Sequence, residues 1–120
     1  MSIEATLFSH LSNHAELNAL VDGRIYPLLM PQDSAMPAVI YTVVNNREIQ
    51  SINYREPYGF DIRIQIDCYS PSFSVVLAVK EAVRKAMHEF EHKAHGLNSR
   101  SLYEPEAKLH RQLIEFNIKG

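Results

Sequence analysis

The chain has 120 residues, enough for one domain that removes roughly two-thirds of its unfolded surface from water. Twelve basic and fourteen acidic side chains give a formal net charge of −2, which argues against a protein that grips duplex nucleic acid. The single cysteine, Cys68, cannot form an internal disulfide, which favours a reducing compartment. We therefore expect one domain over residues 1–120 that is assembled in the cytoplasm.

Neither the start of the chain nor its apolar runs favours export or membrane insertion. Residues 1–4 lack the basic start and long apolar run of a signal peptide. The longest uninterrupted apolar run, residues 75–79, is far below the ~20 residues that a membrane-spanning helix needs. We expect no membrane partner.

Apolar side chains recur at helical spacing in the first twenty residues. An interruption at Asn13 allows either two short helices or one bent helix, ended by a left-handed cap at Gly23. Asn13 followed three residues later by Glu16 resembles a capping box. His10 and His14 lie four residues apart, and we interpret them as surface or boundary histidines rather than metal ligands.

The next segment changes from irregular to extended chain. Residues 24–27 form a short extended piece, because a residue that precedes proline avoids helical backbone. Residues 28–37 contain Pro31 and Pro37 and are predicted to cross irregularly from the first helix to the sheet. Residues 38–44 are apolar on both faces and rich in β-branched side chains, which predicts a central or well-covered strand.

Residues 45–59 mix charged with apolar and aromatic side chains over a length at which loops are usually functional or disordered. A disordered segment would normally be poorer in aromatic and β-branched residues. One interpretation is a long β-hairpin arm that projects from the domain and is buried on another subunit. The alternative is a hairpin that folds back on its own sheet. The residues expected at the contact with another subunit or with a tube are Arg47, Ile49, Ile52, Tyr54, Arg55 and Tyr58.

The centre of the predicted fold is a strand over residues 60–69 followed by a helix over residues 73–92. Apolar residues alternate with polar ones in the strand, and the apolar set is Ile62, Ile64, Ile66 and Cys68. Ser70 is a candidate N-cap, with Pro71 at the first helical position. The apolar stripe of the helix consists of Val76, Val79, Val83, Met87 and Phe90. These two apolar surfaces should pack together, with Cys68 as a small buried side chain rather than a nucleophile.

The C-terminal part completes an α-β-β-α-β-β order. Gly96 is predicted to cap the helix, residues 97–103 to form a weakly patterned strand, and residues 104–107 to form a turn. The last strand covers residues 109–119, with alternating inward side chains at Ile114, Phe116 and Ile118. The expected fold is α+β, a mainly antiparallel four-stranded sheet with two helices packed on one face.

One motif suggests zinc chemistry. Residues 88–92 match His-Glu-x-x-His, in which two histidines one helical turn apart bind zinc and the glutamate activates water. On a helical projection, His88 and His92 fall roughly 150–170° from the apolar stripe, whereas catalytic zinc needs an enclosed site. Asp61 and Asp67 lie roughly 20 Å apart along one strand, too far for a paired acid and base. A zinc hydrolase using His88, Glu89 and His92 is the disfavoured alternative, and we predict no catalytic residue, metal or cofactor.

Several segments in fixed order carry a family resemblance. They are residues 20–27, the proline-flanked loop and strand at 31–41, the strand at 62–70, and residues 82–87, 103–106 and 109–111. Together they resemble the small tail-completion proteins (tail terminators, or head–tail joining proteins) of long-tailed bacteriophages, prophages and gene transfer agents. No single motif among them is diagnostic, and the resemblance depends on their order and spacing.

The resemblance implies a structural virion protein rather than an enzyme. Such proteins form a ring, commonly a hexamer, that caps the tail tube, ends its polymerisation and joins the tail to the head connector. The implied partners are copies of this chain, the tail tube protein and a head connector or stopper protein, with DNA only passing through the lumen. A head-side neck connector or stopper is the alternative position that the sequence leaves open.

Overall fold

Three helices and five strands make up the computed structural model, which describes residues 3–50 and 57–119. In chain order they are α1 (Ile3–Asn13), α2 (Ala15–Val21), β1 (Ile25–Pro27), β2 (Ala38–Gln50), β3 (Pro57–Ser70), α3 (Phe73–His88), β4 (Lys93–Glu104) and β5 (Leu109–Lys119). The fold is α+β, as the sequence predicts. The prediction of two helices is wrong, because the N-terminal segment forms two separate helices.

The strands form one mixed sheet in the order β1-β2-β3-β5-β4. β3 pairs antiparallel with β2 and β5, and β4 pairs antiparallel with β5, whereas β1 runs parallel to β2. The predicted sheet is therefore wrong in strand count, whereas three of the four observed pairings are antiparallel, in agreement with the prediction of a mainly antiparallel sheet. The missed strand, β1, has only three residues and ends in proline, too short to show the alternation by which strands are detected.

The core lies between one face of the sheet, called the inner face here, and the helices. Alternate residues of β3 and β5 are buried on it, and those of β3 are the predicted set. The helices contribute Leu7, Leu11, Leu17, Val21, Val76, Val79, Val83 and Met87 to the same cluster. Burying a side chain of this size contributes about 1.5–3 kcal/mol relative to leaving it exposed, so the sheet and helices stabilise each other.

A histidine separates the first two helices. His14 has extended backbone (φ −76°, ψ 116°), and its Nδ1 accepts a hydrogen bond from the Leu17 backbone N–H at 3.4 Å. The predicted capping role of Asn13 is wrong, because its side chain donates to the Ser9 carbonyl at 2.8 Å. α2 ends with left-handed backbone at Asp22 (φ 49°), and Gly23 continues it (φ 76°).

The helix α3 begins at Phe73, as predicted, but its N-cap is Ser72 rather than Ser70. The Ser72 hydroxyl accepts from the Val75 backbone N–H at 3.4 Å, and the Ser70 hydroxyl accepts from the Ser72 N–H at 3.1 Å. Pro71 therefore precedes the cap instead of occupying the first helical position. The two serines together turn the chain from β3 into α3.

The predicted end of α3 at residue 92 is wrong. The helix ends at His88, where the Glu89 backbone N–H is shared between the Lys85 and Ala86 carbonyls at 3.1 and 3.2 Å. β4 begins at Lys93, so the residue expected to cap the helix, Gly96, lies inside a strand. The prediction extended the helix because Phe90 is apolar and follows Met87 at helical spacing. Phe90 is buried, but it lies outside the helix.

Candidate assembly surfaces

The predicted arm coincides with the far end of the β2–β3 hairpin. These two strands pair as far as Gln50↔Pro57, whereas the pairing of β3 with β5 ends at Asp61↔Lys119. Residues 57–60 of β3 therefore extend past the last β5 partner and pair only with β2 among the described strands. The projection of this end from the domain remains a prediction.

The six residues expected at the subunit contact divide between described and undescribed chain. Arg47 and Ile49 lie in β2, and Tyr58 lies in β3. Ile52, Tyr54 and Arg55 fall outside the described residues. The structure thus brings half of the predicted set onto one hairpin, and their contact with another subunit or a tube stays a prediction.

The sheet face opposite the helices, the outer face, carries a network around a buried carboxylate. Asp67 is only 4% exposed and accepts hydrogen bonds from Arg111 Nε at 2.8 Å and Gln65 Nε2 at 2.9 Å. A second nitrogen of Arg111 donates to Glu104 at 3.1 Å, and its guanidinium lies 5.7 Å from the Tyr69 ring centre. Burial raises the pKa of the Tyr69 phenol, with Arg111 opposing the shift. The carboxylate is therefore buried but fully paired.

A second ion pair lies on the same face. Arg63 donates to one oxygen of Glu115 through Nε at 3.0 Å and through a terminal nitrogen at 2.7 Å. The Arg63 side chain is about half exposed, so solvent screens this pair more than the one at Asp67. The outer face therefore presents charges that are already paired within the subunit.

The turn after β1, called the Leu28–Leu29 turn here, exposes two large apolar side chains. Leu28 is 67% exposed and Leu29 is 80% exposed. Leu28 has φ +64°, and the Leu29 N–H donates to the Pro27 carbonyl at 2.7 Å, which makes this a γ-turn. A leucine at positive φ is uncommon. The Leu28 N–H donates to the Tyr41 carbonyl at 3.0 Å, which fixes the turn to β2.

Side-chain contacts brace the loop that follows this turn. Arg24 Nε donates to the Pro37 carbonyl at 2.8 Å, and the Tyr26 and Ser34 hydroxyls are 3.1 Å apart. The peptide bond before Pro37 is cis. Asp33 is exposed and is the sole charged residue between positions 28 and 37. The side-chain contacts therefore attach the loop to Arg24 and Tyr26.

A groove lies between α3 and β4 at the opposite edge of the sheet, and we call it the α3–β4 groove. Its apolar lining includes Met87, Ile114 and Phe116, and its polar lining includes the Arg84 guanidinium and the His88 imidazole. The groove has a volume of about 420 Å³. No carboxylate contributes to its lining among the described residues. The groove is therefore apolar at its base and basic at its rim.

Each free edge of the sheet carries a bulge with an exposed apolar residue. In β4 the register shifts between Gly96 and Asn98, which leaves Leu97 without a partner in β5. In β2 the register shifts between Val43 and Asn45, which leaves Val44 without a partner in β3. Leu97 is 50% exposed and also lines the α3–β4 groove.

Two histidines of the N-terminal helices hold the end of α3. His10 Nε2 donates to the Ala86 carbonyl at 2.6 Å, and its ring centre is 5.1 Å from that of Phe90. His14 Nε2 lies 3.2 Å from a Glu89 carboxylate oxygen. The prediction of boundary histidines agrees with these contacts. Both histidines connect the N-terminal helices to the residues that end α3.

The His-Glu-x-x-His motif does not lie on one helix. His88 is the last residue of α3 and is exposed, whereas His92 follows the helix end, with its ring centre 5.6 Å from that of Phe90. The motif requires two histidines one helical turn apart, and the helix ends between them. Within residues 3–50 and 57–119, no three side chains of the metal-binding types are grouped to hold an ion.

Cys68 lies on the inner face with no solvent exposure. Burial raises the pKa of its thiol, and the neighbouring Asp67 charge adds to the shift. Since the thiolate is the reactive form, the prediction of a buried structural cysteine is confirmed.

Comparison with solved structures places the fold among virion proteins. A chain of the virion of a native gene transfer agent particle superposes with a TM-score of 0.72 and 17% sequence identity. The match covers 98% of this chain and 93% of that chain. No curated protein matches the sequence. By fold, this protein is a small α+β domain of the kind found in that particle.

The family follows from the sequence itself. The family described as tail completion protein gp17 matches residues 5–119, and the chain belongs to it. This family is structural rather than enzymatic, and the predicted resemblance to tail-completion proteins is confirmed. Within the described residues, no helix is both long and apolar enough to cross a membrane.

Sequence reasoning missed three surface features. The exposed Leu28 and Leu29 lie in a segment predicted only as an irregular crossing, and no periodic signal marks them. The pairing of Asp67 with Arg111 depends on the register of β3 with β5, where Asp67 lies opposite Leu113. The α3–β4 groove depends on the position of β4, which the prediction began four residues too late.

Proposed function

We propose that this protein caps the tail tube as a homo-oligomeric ring, ends tube polymerisation and joins the tail to the head connector. The proposed ring contains six copies of the chain. Its partners are the neighbouring copies, the tail tube protein and a head connector or stopper protein. DNA passes through the lumen without being bound.

Family membership over residues 5–119 is the observation that carries this proposal, because tail completion implies a position at the end of the tail. The likeness to a chain of a gene transfer agent virion supports a role inside a particle. The net charge of −2 agrees with a lumen that DNA traverses without a basic grip.

The shape of the sheet supports association. β1 covers only residues 39–41 of β2, and β4 has no neighbour on its outer side among the described strands. Free edges and an uncovered face favour contact with other chains. A head-to-tail contact between copies closes into a ring when the rotation between them suits closure. The end of the β2–β3 hairpin is the proposed contact with a neighbouring subunit or the tube.

Deletion of the gene from an inducible prophage or gene transfer agent cluster tests the position in the particle. Electron microscopy should show abnormally long tails that are not attached to filled heads. Complementation in trans should restore normal length and attachment. Free tails of normal length would contradict termination and favour a head-side connector or stopper.

Substitution in the arm tests the contact assigned to it. We expect Ile52→Ser and Tyr54→Ser together to lower the light-scattering mass of the purified oligomer towards that of the 13.7 kDa monomer. The turn between β4 and β5 provides a control, since the exposed Glu106 lies away from the arm and Glu106→Ser should leave the mass unchanged. An unchanged mass in the arm variant would reject the assignment of the arm.

A further inference from the structure

Two surface features lie at opposite edges of one sheet. The Leu28–Leu29 turn follows β1, the first strand in the sheet order, and the α3–β4 groove is lined by β4, the last strand. Four strand spacings of ~4.8 Å separate these edges, about 19 Å in all. A subunit therefore cannot place its own turn in its own groove.

The two features match in polarity. The turn exposes Leu28 and Leu29, and the groove exposes Leu97 beside a base formed by the largely buried Met87, Ile114 and Phe116. Large exposed apolar side chains held together mark a contact site more often than scattered ones do.

The two features also match in charge. Asp33 is the sole charged residue of the loop that follows the turn, and it is exposed. The groove presents Arg84 and His88 with no carboxylate among its described lining. A second copy of this chain thus brings an acidic group towards the basic rim when its leucines enter the groove.

We propose that the Leu28–Leu29 turn of one subunit binds in the α3–β4 groove of the next, with Asp33 facing Arg84 of that neighbour. The proposal deepens the ring proposed above and rests on it. Because donor and acceptor surfaces differ and lie at opposite edges, the contact is head-to-tail and repeats from copy to copy. The occupant of the groove is a second copy of this chain.

Cross-linking through introduced cysteines tests the contact directly. Cys68 is buried, so the thiols of Leu29→Cys and Leu97→Cys would be the accessible ones. A short bis-maleimide applied to the double variant should give a covalent ladder, in purified protein at high concentration and in recovered tails. Mixing the two single variants should give dimers only, because each copy then carries one half of the contact.

A mutational measurement accompanies the cross-link. Leu29→Ser should weaken association at least roughly tenfold by light scattering across concentration, as expected for a central apolar contact. Tyr103→Ser, another half-exposed apolar side chain, should leave association unchanged. Leu29 is mostly exposed, so an unchanged circular dichroism spectrum should show that the variant folds. Asp33→Arg should weaken association, and adding Arg84→Asp should restore it.

The outcomes separate this contact from the ring itself. If the oligomer forms but gives no cross-linked ladder and its association is unaffected by Leu29→Ser, the proposed contact is wrong and the proposed ring is not contradicted. A cross-link from position 29 to another tail protein would overturn the choice of a second copy as the occupant. Monomers in solution and absence of the ladder from recovered tails would overturn both.

Discussion

The two faces of β3 bury chemically different side chains. The inner face buries an unbroken apolar row against the helices, whereas the outer face buries Asp67 by pairing it with Arg111 and Gln65. Ile66 and Asp67 are adjacent in sequence and are almost equally inaccessible to solvent. Burial alone therefore does not define the core, and the chemistry of the neighbours decides what a substitution costs.

Thiol labelling should show the largest contrast between the faces. Cys68 is fully buried in the native state, so reaction with a thiol reagent should require unfolding. We expect its labelling to be at least about a thousandfold slower than in denaturant, given typical unfolded fractions. A cysteine introduced on the outer face at Arg63 should react at nearly the denatured rate. Rapid native labelling of Cys68 would show that the inner face is not closed.

Truncation of the inner row should give the next largest effect. We expect Ile66→Ala to lower the free energy of unfolding by about 2–5 kcal/mol, since it removes buried methyl groups and leaves a cavity. Ile66→Val should cost about 0.5–1.5 kcal/mol at the same site. Urea denaturation followed by circular dichroism measures both variants. Equal losses in the two would contradict the close packing of α3 on β3.

Removing Asp67 from its pair with Arg111 should lower the free energy of unfolding less than truncating the inner-face row of β3 does. Asp67→Ala leaves the partly exposed Arg111 with Glu104 as its remaining partner, and we expect a loss of about 1–3 kcal/mol. Replacing both Asp67 and Arg111 with apolar residues should recover part of that loss. A double-mutant cycle by urea denaturation measures the coupling. A cycle without coupling would mean that the two side chains contribute independently.

The smallest expected effect concerns an exposed ion pair between α2 and α3. The hydrogen bond and charge of Lys85, 2.6 Å away, hold the pKa of Glu16 below its ordinary value of 4.5. A lowered folded-state pKa contributes stability above pH 4.5, and this contribution is lost as the pH falls through the folded pKa. In Lys85→Met, an NMR titration should show the Glu16 pKa rising towards 4.5. An unchanged titration would contradict the pair.

Sequence reasoning recovered the elements that have two distinct faces. β3 and β5 alternate cleanly because one face packs on helices, and α3 shows a stripe for the same reason. It failed at the edges of the sheet, where β4 is mostly exposed and has no alternation to detect. Phe90 extended the helical pattern beyond α3 because its burial against His10 follows from tertiary contact rather than from helix geometry.

The assembly surfaces were predictable only in part. The composition of residues 45–59 pointed to the β2–β3 hairpin, since charged residues are mixed there with apolar and aromatic ones. The Leu28–Leu29 turn and the Asp67 network depend on pairings across the sheet, and a single sequence does not specify register across such distances.

The bulges at Val44 and Leu97 limit how far another strand can pair along the free edges of the sheet. A neighbour that tried to continue the backbone ladder would lose its hydrogen-bonding phase after a few residues at either free edge. In the proposed ring, copies would instead meet through side-chain surfaces, which set a definite angle between them. The proposed role of ending the growth of a tube agrees with sheet edges that resist open-ended stacking.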